Sequence, residues 1–444
     1  MRKIKRMNRR QFLKNSTLGV GAVSAAGAGL LGGGSLLNAG DQQQGTESSE
    51  PLKIKEYRTL GRTGFKVSDI GCGYVKDAAV LERLLDAGVN YIDSAESYGN
   101  HTMIGEVMKN RDRKSVFITS KLLIEKDVSK EGFLKRARKS LEELRTDYID
   151  CMMIHCPEKV ELLKTEGFHE AMKQLKSEGR VHFLGLSHHG SNWFRDPEQS
   201  MEKVLTAAAM DGRFDVMLLA YNFIQADNSE KVLSLCREKK IGTTLMKTNP
   251  ISAIPRLKDI IKKLEAEGKK VPEDYPNMIK RLEARAKQAE AFIKKYRMDD
   301  AKRMRDAAIR FVLSNPDVNT ACCAFRSFDD IEAFIPLSGT RLDDMEKEKL
   351  EAYKKGCGMF YCRHACGLCE PACPHHVPVN SIMRYNHYFE AQGKEKYAMK
   401  QYAGLAGPKA DRCAQCKGYC EAACPYGVPV HSLLLMAHHT LTLA

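Results

Sequence analysis

The chain has 444 residues, 43% hydrophobic and 28% charged, with 33 Gly and 15 Pro, which is enough apolar content to bury cores and excludes a wholly disordered protein. At about 150 residues per domain this length allows two or three domains, one of which can be an α/β barrel of about 250 residues. The formal charge of +14 gives no reason to expect a nucleic-acid partner: Arg2, Lys3, Lys5, Arg6, Arg9, Arg10 and Lys14 precede the first acid, Asp41, and without those seven the balance is +7.

The basic start runs into an uncharged stretch, 15–40, dominated by Gly, Ala, Leu and Ser, which is the layout of a secretion signal. The segment Asn8-Arg9-Arg10-Gln11-Phe12-Leu13-Lys14 resembles the twin-arginine export motif, which implies a cargo folded around its cofactors and a periplasmic or otherwise exported destination. Residues 17–39 are long enough to span a bilayer but weakly apolar and glycine-rich, so no permanent span is expected once residues 1–40 are cleaved near Ala39. Gly27-Ala28-Gly29-Leu30-Leu31-Gly32 satisfies G-x-G-x-x-G but follows no strand pattern, and is set aside as a dinucleotide site. Residues 41–54 read as a solvated linker, with folding expected to begin near Lys55.

From there, β-branched or apolar runs alternate with helical patterns: 67–73, 89–93, 115–120, 148–155, 181–187, 214–221, 241–247 and 318–324. Alternation implies parallel strands joined by right-handed crossovers, and eight units fit a closed (β/α)8 TIM barrel better than an open sheet. The helix over 133–144 places Leu134, Ala137, Leu141 and Leu144 on one face, and 167–178 repeats that logic. A charged excursion over 254–296 reads as extra helices with solvated surfaces.

Chemistry in such a barrel gathers at the C-terminal ends of its strands. Asp93 and Tyr98 follow the second predicted strand, Lys121 the third and His155 the fourth. These residues in this order, with 57–73 (YRTLGRTGFKVSDIGCG), 90–105 (NYIDSAESYGNHTMIG) and 178–187 (EGRVHFLGLS), resemble the aldo-keto reductase family over about 55–340. The resemblance implies an oxidoreductase that interconverts a carbonyl and an alcohol, sugar-derived compounds among them, by hydride transfer. Tyr98 would be the acid and base, Lys121 would favour its phenolate, Asp93 would keep the lysine charged, and His155 would orient the carbonyl. It also points to Ser187, His188, Met246, Lys247 and Arg326 as cofactor-binding positions, and leaves NAD(P)(H), tightly retained, open as the hydride carrier. The pattern departs from the family at His188, Leu218 and Met246. Asp330 stands where an arginine often meets the NADP 2′-phosphate, a charge that Arg326 could offset.

Eight of the fifteen cysteines fall within 362–424, in two copies: Cys362, Cys366, Cys369 and Cys373-Pro374, then Cys413, Cys416, Cys420 and Cys424-Pro425. A shift of 51 residues superposes all but Cys366 and Cys416, which miss by one, so the segment is an internal duplication. Disulfides give no reason for tight runs closing in Cys-Pro, and structural zinc typically uses separated C-x2-C pairs. Iron–sulfur clusters explain both features. The spacing resembles dicluster ferredoxins, which implies two 4Fe-4S clusters with the fourth cysteines exchanged: Cys362, Cys366, Cys369 and Cys424 around one, Cys413, Cys416, Cys420 and Cys373 around the other. Helical character over 381–392 favours a small, mostly helical ferredoxin-like domain over 341–444. His364, His375, His376 and Cys357 are expected outside the ligand sets.

A nicotinamide delivers two electrons and a cluster accepts one, so the clusters either pass electrons to a redox partner protein through an intermediary or stabilise the tail. The contrasting reading is an electron-transfer subunit whose barrel binds a partner or ligand without turnover.

Overall fold

A computed structural model of the protein describes residues 51–442, apart from 125–126, 190–199, most of 251–300, 365 and 391–393. The expected signal, the linker up to residue 50 and nearly all of the excursion over 254–296 lie outside the described residues.

A short antiparallel hairpin, β1 (Tyr57–Thr59) with β2 (Lys66–Ser68), precedes the barrel. Eight parallel strands then close on themselves: β3 (Ile70–Val75), β4 (Tyr91–Asp93), β5 (Phe117–Leu123), β6 (Ile149–His155), β7 (Val181–His188), β8 (Val216–Ala220), β9 (Gly242–Met246) and β10 (Thr320–Phe325). All eight expected strands form. The run over 67–73, however, is divided. Val67 belongs to β2, and the chain turns at Asp69, whose buried carboxylate accepts hydrogen bonds from Ser338 Oγ (2.6 Å) and Gly339 N (2.8 Å). A hydropathy run cannot register that turn, because its anchor lies about 270 residues away. The strand expected at 115–120 runs instead over 117–123, so Lys121 lies inside β5 and not after it.

Alternation along the strands sorts side chains into two cores. Tyr91, Phe117, Cys151, Met153, Val216 and Leu218 fill the barrel interior, where Leu60 and Val67 of the hairpin join them. Gly61 carries the hairpin loop against the start of β9: its φ is +48°, and an added Cβ would sit 2.2 Å from Gly242 N. Only glycine meets both conditions. Ile92, Ile118, Met152, Ile154 and Met217 point outward into the layer shared with the helices.

Those helices are α1 (Ala78–Asp86), α2 (His101–Met108), α3 (Lys130–Leu144), α4 (Glu166–Ser177), α5 (Met201–Asp211), α6 (Asp227–Glu238), α7 (Ala301–Ser314) and α8 (Phe328–Phe334). In α3 the Ser129 hydroxyl caps the N-terminus by accepting from Gly132 N, and Ala137, Leu141 and Leu144 are buried as their spacing predicts. Phe133 is buried on that face too, and Leu134 only half so. Next, α9 (Asp344–Cys357), opened by a capping box between Asp343 and Glu346, packs Leu350 and Tyr353 against Phe223, Met304 and Ala308.

Beyond residue 357 every regular element among the described residues is helical, with α10 (Val379–Glu390), α11 (Glu395–Ala403), α12 (Tyr419–Ala422) and α13 (Val430–Leu441) around a separate apolar core that includes Val377, Ile382, Val428 and Leu434. The duplication repeats in the backbone at the same offset of 51. Val379 N donates to Val377 O as Val430 N does to Val428 O, and Ile382 N to Pro378 O as Leu433 N does to Pro429 O. Left-handed residues match as well: Gly367 with Gly418, and His376 (φ +53°) with Gly427 (φ +63°). No helix among the described residues is long and apolar enough to cross a membrane.

Candidate active site

Strand register brings the four predicted polar residues together. Asp93 closes β4 opposite Thr119, and His155 closes β6 opposite Leu123, two residues beyond Lys121 on β5. Lys121 Nζ donates to Asp93 Oδ2 and to Ser94 O, both at 2.7 Å, while Thr119 Oγ1 donates to the other carboxylate oxygen at 2.9 Å. The lysine is wholly buried, so its charge depends on this pairing. The Tyr98 hydroxyl lies 3.4 Å from Lys121 Nζ, in the loop after β4. The His155 ring stands edge-on to that of Tyr98, centroids 6.0 Å apart, and its buried Nδ1 has no hydrogen-bond partner among the described residues.

The electrostatics differ from expectation at Tyr98. Burial raises its pKa well above the usual phenol value, and the charge of Asp93 adds to the effect. The resting group is therefore a phenol held ready to give up a proton, and not the phenolate that Lys121 alone would favour. His155 is pushed well below its ordinary value by burial and by the charges of Lys121, Arg384 and Lys394, so it is a neutral imidazole near pH 7.

The expected cofactor-binding positions line the same end of the barrel. Ser187 and His188 end β7 and are buried, and Met246 ends β9. Lys247 follows in a left-handed conformation (φ +57°), and its Nζ donates to His189 O at 2.8 Å. Leu218 packs in the barrel interior. Arg326 is exposed after β10, where its backbone N–H donates to Asp330 Oδ2 at 2.7 Å. The same oxygen accepts from Ser327 N at 3.3 Å, so a carboxylate of the chain itself covers the amides that open α8.

Sequence reasoning missed the contribution of the tail. Tyr388 of α10 places its hydroxyl 3.5 Å from His189 Nδ1. Just beyond α10, Lys394 Nζ lies 4.3 Å from the ring centroid of Tyr74, 5.5 Å from that of Tyr98 and 5.8 Å from that of Tyr388. Gln225 Nε2 donates to His364 O, joining the β8 end to the first cysteine loop. Nothing in the local pattern of 381–394 marks these residues as facing a site some 290 positions upstream.

No two of the fifteen cysteines are joined by a disulfide. Cys362, Cys366, Cys369 and Cys424 line one cavity together with Asn380 and Tyr426. Burial and the charges of Cys420, Cys373 and Cys416 push Cys413 up to about 12, and burial with Cys373 and Cys416 does the same to Cys420. The charge of Cys420 also acts on Cys369, so the two sets adjoin. Thiols that oppose one another's ionisation in this way suit a metal centre, which would carry the thiolate charge.

Residues 66–355 match the Aldo/keto reductase family. The methylglyoxal reductase DkgB of Salmonella typhi is 30% identical over 147 residues, covering 32% of this chain and 52% of that protein, so the chain spans about half the length of such curated relatives. The aldo-keto reductase YhdN of Bacillus subtilis is 22% identical over 320 residues, covering 66% and 92% of the two chains. Among solved structures, the holo form of aldo-keto reductase AKR11C1 from Bacillus halodurans aligns with a TM-score of 0.48 and 20% identity, over 70% of this chain and 99% of that one. With a closed eight-stranded barrel and a family match over most of the folded chain, the protein belongs to the aldo/keto reductase family.

Proposed function

We propose that the protein is an exported oxidoreductase that interconverts a carbonyl and an alcohol at the barrel mouth and carries two 4Fe-4S clusters in its tail. The observation that carries the catalytic part is the chain of contacts from Asp93 through Lys121 to the Tyr98 hydroxyl, at 2.7 Å and 3.4 Å. In the reducing direction Tyr98, kept protonated by burial, gives its proton to the carbonyl oxygen. Lys121 stabilises the phenolate that remains, and Asp93 holds the lysine in place. His155, being neutral, can donate a hydrogen bond to the same oxygen and fix the substrate's orientation.

A nicotinamide, when bound, would supply the hydride. Ser187, His188, Met246 and Lys247, at the ends of β7 and β9, are the residues that would hold it. A 2′-phosphate fits less well, because Asp330 already occupies the amides at the start of α8 and would repel it. The four-cysteine cavity supports the exchanged ligand sets: Cys362, Cys366, Cys369 and Cys424 in one, Cys413, Cys416, Cys420 and Cys373 in the other. Clusters there would serve as one-electron carriers towards a redox partner, or hold the tail against the barrel.

The test uses anaerobically purified holoprotein. Visible absorption should show iron–sulfur clusters, and acid denaturation should release a nucleotide. Tyr98→Phe should cut carbonyl reduction by about 10²–10⁴-fold. Undiminished carbonyl reduction in that variant would overturn the role given to Tyr98, cluster-dependent electron transfer that survives in it with no carbonyl turnover in the wild type would favour an electron-transfer subunit, and colourless folded protein would remove the clusters.

A further inference from the structure

The mouth of the barrel is a cationic place. Asp93 is taken up by Lys121, and from the tail come two further positive side chains, Arg384 on α10 and Lys394 beyond it. Arg384 is buried, and its charge is felt by His155, Cys156, His188, His189 and Lys247. Glu158 is a buried acid whose charge acts on Cys156, and Asp93 is the acid whose charge reaches Lys394. Lys394 stands closest to the chemistry. Its ammonium lies among the rings of Tyr74, Tyr98 and Tyr388, and no carboxylate among the described residues forms an ion pair with it.

An ammonium taken partly out of water without a counter-ion is costly, and the faces of three phenol rings repay only part of that cost. We propose that Lys394, supported by Arg384, binds the carboxylate of an anionic substrate, so that the enzyme acts on 2-oxo acids and their 2-hydroxy acid partners. The inference rests on the carbonyl–alcohol reading above. The position of Lys394 sets the substrate class: its Nζ is 5.5 Å from the ring centre of the proton donor, so a group it holds must be close in bonds to the reacting carbonyl. In the reaction Tyr98 gives its proton to the carbonyl oxygen and the carboxylate is unchanged; a nicotinamide, when bound, would supply the hydride for the carbonyl carbon and be left oxidised. Burial, together with the charges of Lys121, Arg326 and Lys76, lowers the Lys394 pKa to about 8 against the opposing charge of Asp93, so a further anion at that point would be favoured. Lys394 lies outside the residues matched to the family, so the tail would complete a specificity that the barrel lacks.

The experiment measures oxalate and inorganic pyrophosphate binding to the holoprotein by calorimetry, with Lys394→Gln, Lys394→Arg, Tyr98→Phe and the surface control Lys417→Gln. The expected result is oxalate binding weakened about tenfold or more by Lys394→Gln, largely restored in Lys394→Arg, and unchanged in Lys417→Gln. Oxalate affinity equal in wild type and Lys394→Gln would overturn the proposal. So would loss of oxalate in Tyr98→Phe alone, which would put the anion on the catalytic hydroxyl. Lys394→Gln weakening pyrophosphate and sparing oxalate would assign the lysine to a nucleotide phosphate and also refute it. Because the readout is binding, it stands apart from turnover: a Tyr98→Phe variant that stays active sinks the catalytic reading without touching the oxalate result.

Discussion

Lys121 Nζ lies 2.7 Å from Asp93 Oδ2, with the lysine side chain 0% and the aspartate 3% exposed. A pair this deeply buried contributes little as a pair, but either partner left alone is an uncompensated charge in a medium of low polarity. Asp93→Asn should therefore destabilise the fold by about 3–5 kcal/mol, measured by chemical denaturation. Asp93→Asn combined with Lys121→Met should recover most of that loss while remaining inactive. A double variant no more stable than Asp93→Asn would show that the pair's role is not charge compensation.

Stability should fall with acid through the buried histidines. His188 is lowered to about 3 by burial and by the charges of Arg384 and Lys247, and His387 to about 3 by burial, Lys247, Arg326 and Lys394. In the unfolded chain these groups bind protons near pH 6.5. The native state then holds fewer protons than the unfolded state between about pH 6.5 and 3, so stability present above 6.5 is lost as the pH drops through that window. Each histidine contributes about 1.4 kcal/mol per pH unit there. Thermal melts at pH 7.5, 6.5 and 5.5 test it: His188→Gln should flatten the decline, and an unchanged slope would contradict it.

Exchange of the fourth cysteines between repeats is open to a double-variant test. If Cys424 shares a cluster with Cys366, then Cys366→Ser, Cys424→Ser and the two combined should each lose about four of eight irons. Ligands kept within each repeat would instead make the combined variant lose nearly all of them. Iron analysis of the three proteins separates the outcomes.

Export can be checked on the full chain. Arg9→Lys together with Arg10→Lys should leave the protein in the cytoplasm with residues 1–40 uncleaved, as seen by fractionation and intact mass. Continued export of the double variant would count against the twin-arginine route.

Much of the barrel was readable beforehand because its signal is local and periodic. Each strand run bounded by helical spacing stands alone, as does the apolar face of α3. What misled was non-local. The split at Asp69 depends on Ser338, and the protonation of Tyr98 depends on how far the loop after β4 is buried. The chemistry of a phenol beside an ammonium suggests the opposite charge state, and only burial decides the balance.

The sequence by itself determined that strands and helices alternate eight times, that Asp93, Tyr98, Lys121 and His155 fall at or near strand ends, and that eight cysteines repeat at an offset of 51. These are matters of spacing, and spacing is written along the chain. Only the tertiary structure decided that Cys424 joins the first cysteine run in one cavity, and that Tyr388 and Lys394 of the tail reach the mouth of the barrel. Such contacts arise from the packing together of two apolar cores, and which surfaces those cores bring together leaves no period in the sequence.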